Sequence, residues 1–491
     1  MTIPDPIKHP HFVSSNVIGN ETDSIKSKKV EQVQNRLDED FNGLTKPGCN
    51  VAIIEHDTNG SKPFLFSCGY SNVVTGQRMS SSTPQPLGSL SKHMTSLVIY
   101  ELMKKGFINL NDSIYKYLPD FPKRTFDGKV VEITIDNLLQ MRSGLPNPFP
   151  LVPNVLGLND STMSQADKMK FIEKETELNF FPDKKEFYTN NNHFILATIA
   201  NLICQREFSE SFTEFANKTL FARTSASFSD PLKSMDQQSY FKDLPAGYWG
   251  LDQGHLQQDE NGHIKEKPAM NTQVGPCGVI ASLNDMVEWD KKIQNFKNVG
   301  FFEKSVDADF NYARGFYKTL TKNGFEVMEH GGNIDGFSTE YCQFEKDGKT
   351  LSVVILANVG GQGFKGLAHE LASLWLDQDI ELPPLPFDDG PPDLPPADLL
   401  KNVKRFEGEY YCEWSQKTFV LRESKDKNVL EFFLKDDDTY PKFLFINMRG
   451  GFLDIFDGPP LKIEFNEDGT RFDLTFAEEF TNQAYKFKKT F

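Results

Sequence analysis

Ser89 and Lys92 stand three residues apart in the stretch PLGSLSKHMTSLVIYELMKKG, which runs from Pro86 to Gly106. On a helix that spacing puts both residues on one face, with Cβ atoms about 5–6 Å apart, so their heads can meet. A serine hydroxyl is a poor nucleophile until a neighbour takes its proton. A lysine can take it only when desolvation or a nearby positive charge pulls its pKa down from about 10.4, and burial supplies a drop of up to about 3–5 pH units. In the first turn of a helix Ser89 also meets the positive end of the helix dipole, worth about 0.3–1 kcal/mol to a developing anion. The chemistry these residue types support is nucleophilic attack on a carbonyl.

The spacing alone does not choose a site, because SxxK begins at Ser89, Ser113, Ser239 and Ser424. Ser424 falls in the hairpin-like RESKDKN, Ser239 precedes DLPAG, and Ser113 runs into YLPDFP. Only Ser89 opens a stretch whose apolar residues, Met94, Leu97, Val98 and Leu102, keep the 3.6-residue period and stop at Lys104, Lys105 and Gly106. The structural alternative for Ser89 is a helix-capping serine beside a solvated lysine.

The elements that must position this helix are legible on either side of it. NVAIIEHD and PFLFSCGYS read as strands flanking TNGSK, with Asn59 and Gly60 as the hairpin turn. VVEITIDNLLQMRSGL reads as a short strand entering a helix capped by Thr134. Residues 146–183 mix Pro, Asn and Asp with short helical pieces, in the manner of a loop over a cleft or of an ordinary surface insertion. FEVMEH, FSTEYCQFE and KTLSVVILANV are strands, the last two joined at Asp347 and Gly348, and GLAHELASLWL is an amphipathic helix. Strands at both ends with helices between them predict an α+β fold, in which an antiparallel sheet flanked by helices is built from the two extremes of the segment.

Four segments follow. Residues 1–44 are a polar extension containing the charge-rich surface helix IKSKKVEQVQNRLDEDF, and residues 45–380 form the main domain. Residues 381–399 are a proline-rich, semi-rigid linker. Residues 400–491 carry eight short strand-like runs separated by turn residues, which predicts a small closed all-β barrel.

Among 491 residues, 53 basic and 69 acidic side chains give a net charge of −16, which repels phosphate backbones and anionic lipid and argues against a nucleic-acid partner. No apolar run reaches the length of about 18 residues that a membrane helix needs, and MTIPDPIKHPHFVSSN lacks the apolar centre of a secretory signal, so the expectation is a cytoplasmic chain with no membrane partner. The six cysteines, Cys49, Cys68, Cys204, Cys277, Cys342 and Cys412, have no CxxC spacing and read as reduced, buried thiols. The nine histidines contain no HExxH. Neither a metal nor a cofactor is expected.

GSLSK resembles the nucleophile segment of the serine β-lactamase-like superfamily, which includes class C β-lactamases, penicillin-binding-protein-related carboxypeptidases, D-aminopeptidases and esterases. Further segments resemble that family in the same order: GFINLNDSIYKYLPDF, ITIDNLLQMRSGL and GPCGVIASLNDMVEWDKKI. The likeness covers roughly residues 45–380. It implies an acyl-enzyme on Ser89, with Lys92 as its proton partner.

The family's Tyr-x-Asn motif has two candidates, Tyr70 with Asn72 and Tyr188 with Asn190; chain order and a turn-before-helix setting select Tyr188 and Asn190. The resemblance gives Tyr188 a general acid–base role near Lys92 and gives Asn190 hydrogen bonds to the lysine and to a substrate amide. The family's KTG strand is absent, since GKTL at Lys349 lies in a turn. EHGGNIDGF offers instead His330, Gly331 and Gly332, similar to the HxG of D-aminopeptidases, with His330 donating to developing charge or to a substrate carboxylate. By position, the N–H of Asn333 joins that of Ser89 in an oxyanion hole. The C-terminal barrel resembles the lipocalin-like appendages of such enzymes.

The expected function is a serine hydrolase of amides or esters, with a small molecule or short peptide as substrate, β-lactam turnover secondary, and self-association open to it. The rival expectation is a catalytically inactive binding or scaffold protein of the same fold.

Overall fold

The computed structural model describes residues 24–41, 46–147 except 59, 156, 163–229, 244–249, 251–252, 255–256, 266–267, 273–302 except 298, 311–380 except 335 and 362, 407–412, 414–423, 430–435, 443–449, 452–455, 461–465, 471–476 and 485–490. The chain divides into two compact units that do not follow chain order. One comprises residues 1–100, 209–270 and 277–383, and the other residues 101–208, 271–276 and 384–491.

The first unit is built on a six-stranded antiparallel sheet. Its strands are β1 (Cys49–Asp57), β2 (Gly60–Cys68), β3 (Tyr317–Leu320), β4 (Glu326–Ile334), β5 (Phe337–Lys346) and β6 (Lys349–Ala357), in the order β3-β4-β5-β6-β1-β2. The two ends of the segment therefore meet through β1 and β6, with Ile53 opposite Val353. Val51 to Ile54 and Leu351 to Ala357 are buried without alternation, as expected for central strands covered on both faces. Two-residue turns set the register. Asp347 (φ 52°) and Gly348 (φ 72°) both take the left-handed conformation that a β-hairpin turn demands. Asp57 pairs with Gly60 across the β1–β2 turn, whose Asn59 lies outside the described residues.

Helices cover both faces. On one lie α1 (Ser24–Phe41) and the C-terminal helix Lys365–Leu376. Val33, Leu37 and Phe41, spaced by four, join Leu367, Leu371 and Trp375 over Val51, Phe64, Val327 and Val353. Trp375 packs its ring 4.6 Å from that of Phe64 and donates to Glu55 Oε1 at 3.0 Å. The charge-rich N-terminal helix is thus an integral layer of the sheet's core, because its few apolar residues fall in one stripe. On the other face lie α2 (Ser91–Lys104) and the helix Leu283–Lys297, whose Asp290 accepts from the Tyr341 hydroxyl at 2.7 Å.

The second unit holds the helix Asn190–Phe208 and the short helix Ile135–Leu139, which starts at a capping box between Thr134 and Asn137. It also holds eight C-terminal strands from Gly408–Cys412 to Tyr485–Thr490. Each strand pairs with its chain neighbour and the first also pairs with the last. They dock on the helix Gln165–Lys174: the ring of Trp414 lies 4.6 Å from that of Phe171, and the Tyr485 hydroxyl donates to Glu175 at 3.0 Å. The proline-rich linker lies outside the described residues. All six cysteines are buried and free, and no described helix is long and apolar enough to cross a membrane.

Leu37 is fully buried in α1. Leu37→Ala is therefore expected to destabilise the protein by about 2–5 kcal/mol, measured as a lower urea midpoint at unchanged slope.

Candidate active site

Ser89 sits in the tight 3₁₀ turn Gly88–Leu90 that feeds directly into α2, and Lys92 occupies the helix's first turn. Lys92 Nζ lies 2.9 Å from Ser89 Oγ. The turn is tied down on both sides. The Ser91 hydroxyl donates to Gly88 O at 2.7 Å and accepts from the Val279 N–H at 3.0 Å, while the Leu87 N–H donates to Val279 O at 2.9 Å. The strand Val279–Ala281, which also pairs with Gln85–Pro86, thereby fixes the nucleophile's backbone.

Lys92 has no exposed surface. Burial lowers its pKa to about 8, and the weaker opposing influence of Cys277 does not cancel this. The next residue, His93, is fixed by an N–H bond from Trp289 at 3.0 Å and stacks 4.6 Å from Phe316, and burial holds its pKa well below the usual imidazole range. Gly315 (φ +121°) lies against it, where an added Cβ would come within 2.7 Å of His93 Cα.

Strand β4 brings His330, Gly331, Gly332 and Asn333 into the same unit as Ser89 and Lys92. Gly332 permits close approach, since a Cβ there would lie 2.2 Å from both Leu87 O and Thr339 Oγ1. The Thr339 hydroxyl donates to Leu87 O at 2.8 Å and joins β5 to the residue before the nucleophile turn. Gly88, at φ +55°, has the Asn333 backbone so near that a Cβ would meet Asn333 N at 3.0 Å. The backbones of the nucleophile turn and of Asn333 therefore lie on adjoining segments.

His330 is buried, and its pKa is pushed down to about 3 by burial first and by the charge of Lys92 second, so it is neutral at neutral pH. Its Nδ1 lies 2.6 Å from Gly331 O, which makes Nδ1 the protonated nitrogen and leaves Nε2 to accept from the Tyr312 hydroxyl at 3.2 Å. In this arrangement the imidazole N–H is directed at the glycine segment it belongs to. Tyr312 carries no motif and emerges only from this contact.

Tyr188 and Asn190 belong to the second unit. Tyr188 is half-buried in the segment before the helix, and Asn190 is that helix's first residue. A polar clamp shapes the segment: Asn147 Oδ1 accepts from the Asn190 N–H at 3.1 Å, Pro146 O accepts from Thr189 at 3.0 Å and Asn191 at 2.8 Å, and Ser143 donates to Asn192 at 2.5 Å. The run TNNN and the SGLPN that receives it are both visible in the sequence, but their pairing is not. The competing Tyr70 is buried under the Arg78 guanidinium, 4.3 Å from its ring. Ser113 caps a 3₁₀ turn and donates to Glu132, while Ser239 and Ser424 lie outside the described residues.

Residues 37–372 match the family model Beta-lactamase. The chain belongs to the beta-lactamase family. Among beta-lactamase-family relatives, Protein flp of Staphylococcus aureus is 25% identical over 357 residues, 70% of this chain and 65% of that protein. A D-aminopeptidase of Brucella canis is 21% identical over 69% of this chain and 60% of its own. The chain thus spans less than two thirds of the length of these curated relatives. The solved octameric penicillin-binding protein homologue from Pyrococcus abyssi shares the fold, with a TM-score of 0.56 at 18% identity over 94% of this chain and 100% of that one.

A lysine with a lowered pKa destabilises the folded state wherever its folded form is charged. Below pH 8 that cost is present in full. It fades as pH rises from about 8 toward the ordinary value of 10.5, where the unfolded chain also loses its proton. Lys92→Met is therefore expected to stabilise the fold by about 3 kcal/mol at pH 7, and urea titrations should show the gap narrowing by pH 10.

Proposed function

We propose that this chain is a serine hydrolase that cleaves an amide or ester through an acyl-enzyme on Ser89. The observation that carries this reading is the 2.9 Å contact between Ser89 Oγ and a fully buried Lys92. Neutral Lys92 takes the hydroxyl proton as Oγ attacks the substrate carbonyl. The backbone N–H groups of Ser89 and Asn333 receive the oxyanion. Collapse of the tetrahedral adduct breaks the C–N or C–O bond, the leaving group takes a proton, and water then attacks the ester to release the acid and restore the serine.

Family order assigns the proton passed to the leaving group to Tyr188 and assigns Asn190 to the substrate amide. Gly331 and Gly332 give the substrate backbone room, and neutral His330 holds that strand in shape. A neutral imidazole in place of the family's KTG lysine offers a substrate carboxylate no charge at that position. That favours neutral acyl groups or amino-terminal D-residues over carboxypeptidase substrates, in keeping with the D-aminopeptidase relative, and leaves β-lactam turnover secondary. The octameric relative supports self-association, and the eight C-terminal strands are read as a lipocalin-like appendage.

A fluorophosphonate probe should label the protein stoichiometrically, and Ser89→Ala should abolish labelling; an unlabelled folded wild type would contradict the proposal. With p-nitrophenyl esters, D- and L-aminoacyl p-nitroanilides and nitrocefin as substrates, kcat/KM should rise with pH and level off above about 8 as Lys92 loses its proton. Tyr188→Phe should lower kcat by about 10²–10⁴-fold while leaving the fold intact by circular dichroism.

A further inference from the structure

The strand that carries His330 toward the nucleophile turn presents a second set of chemically active side chains on its opposite face. Residues along a strand alternate between faces, so Glu329 and Gly331 point away from His330 and under the C-terminal helix. The register sets Cys342 opposite Glu329 and Glu340 opposite Gly331, and the helix contributes His369. All four side chains are buried, none more than 5% exposed.

Their donor atoms converge. Glu329 Oε2 lies 3.2 Å from His369 Nε2 and 3.7 Å from Cys342 Sγ, and Cys342 Sγ lies 3.8 Å from Glu340 Oε1. The donor atoms of Glu329, Cys342 and His369 all fall within 4.8 Å of one another. Tetrahedral zinc, with bonds of about 2.0–2.3 Å, sets its ligand atoms about 3.3–3.8 Å apart. Among the described residues His369 Nδ1 has no hydrogen-bond partner, and burial together with the charge of Glu329 pushes the Glu340 carboxyl up to about 8, so it keeps its proton at neutral pH. Gly331 makes room for that carboxyl, since a Cβ there would lie 3.1 Å from Glu340 Oε2.

We propose that Glu329, Cys342 and His369 supply the three protein ligands of a site for a divalent ion of the zinc class. Binding replaces the Cys342 S–H bond with a sulfur–metal bond and releases the thiol proton to solvent. The Glu329 carboxylate and the Cys342 thiolate then balance the dication, and the Lys365 ammonium already pairs with Glu329 Oε1 from the solvent side. Oxygen, nitrogen and sulfur donors together suit zinc and exclude the all-oxygen preference of magnesium and calcium. The ion would tie β4, β5 and the C-terminal helix together directly behind the residues that face Ser89. This site is independent of the hydrolase reading, and no step of that reaction passes through it.

The test uses the purified full chain, stripped with a chelator and then either incubated with Co²⁺ or refolded in its presence. The expected result is one equivalent of Co²⁺ per chain, with tetrahedral d–d bands and a sulfur-to-cobalt charge-transfer band, displaced by Zn²⁺ with a rise in Tm. Cys342→Ser should remove the charge-transfer band, and Glu329→Gln should weaken affinity at least tenfold. Absence of both bands in the wild type, or a charge-transfer band that persists in Cys342→Ser, overturns the proposal. Neither readout depends on hydrolysis.

Discussion

A cation held out of water beside a hydroxyl is the constraint on which this structure turns. Lys92 is an ammonium with no exposed surface, 2.9 Å from Ser89 Oγ. Its desolvation works against folding and for proton transfer in the same degree, because both follow from a pKa lowered to about 8. A solvated lysine at this spacing would only cap or decorate a helix.

Beside Ser89, backbones meet where side chains cannot fit. Gly88 lies against Asn333, and Gly332 lies against Leu87 and Thr339, so the nucleophile turn and strand β4 touch main chain to main chain. A side chain at either glycine would force the two segments apart.

Strand β4 serves two environments by alternation. His330 and Gly332 face the nucleophile, while Glu329 and Gly331 face a buried cluster of carboxylates, thiol and imidazole under the C-terminal helix. A ligand or proton held on that rear face acts on the same three or four residues of backbone that shape the front. The N-terminal helix and the C-terminal helix cover this rear side together, so the ends of the segment, far apart in sequence, support one strand.

The sequence by itself determined the strands at both ends of the segment, the Asp347–Gly348 hairpin, the Thr134 cap, the eight C-terminal strands and the spacing that lets Ser89 and Lys92 meet. Each of these follows from local periodicity, turn chemistry or an i, i+3 spacing, which short-range sterics enforce. Only the tertiary structure decided that Val33, Leu37 and Phe41 make a charge-rich helix part of the core. It also decided that Tyr312 and Gly331 engage both nitrogens of His330, and that Glu329, Cys342 and His369 converge without any recognisable metal spacing. Those outcomes depend on strand register and on which face a helix lies against, and contacts between residues hundreds of positions apart leave no periodic trace in the chain.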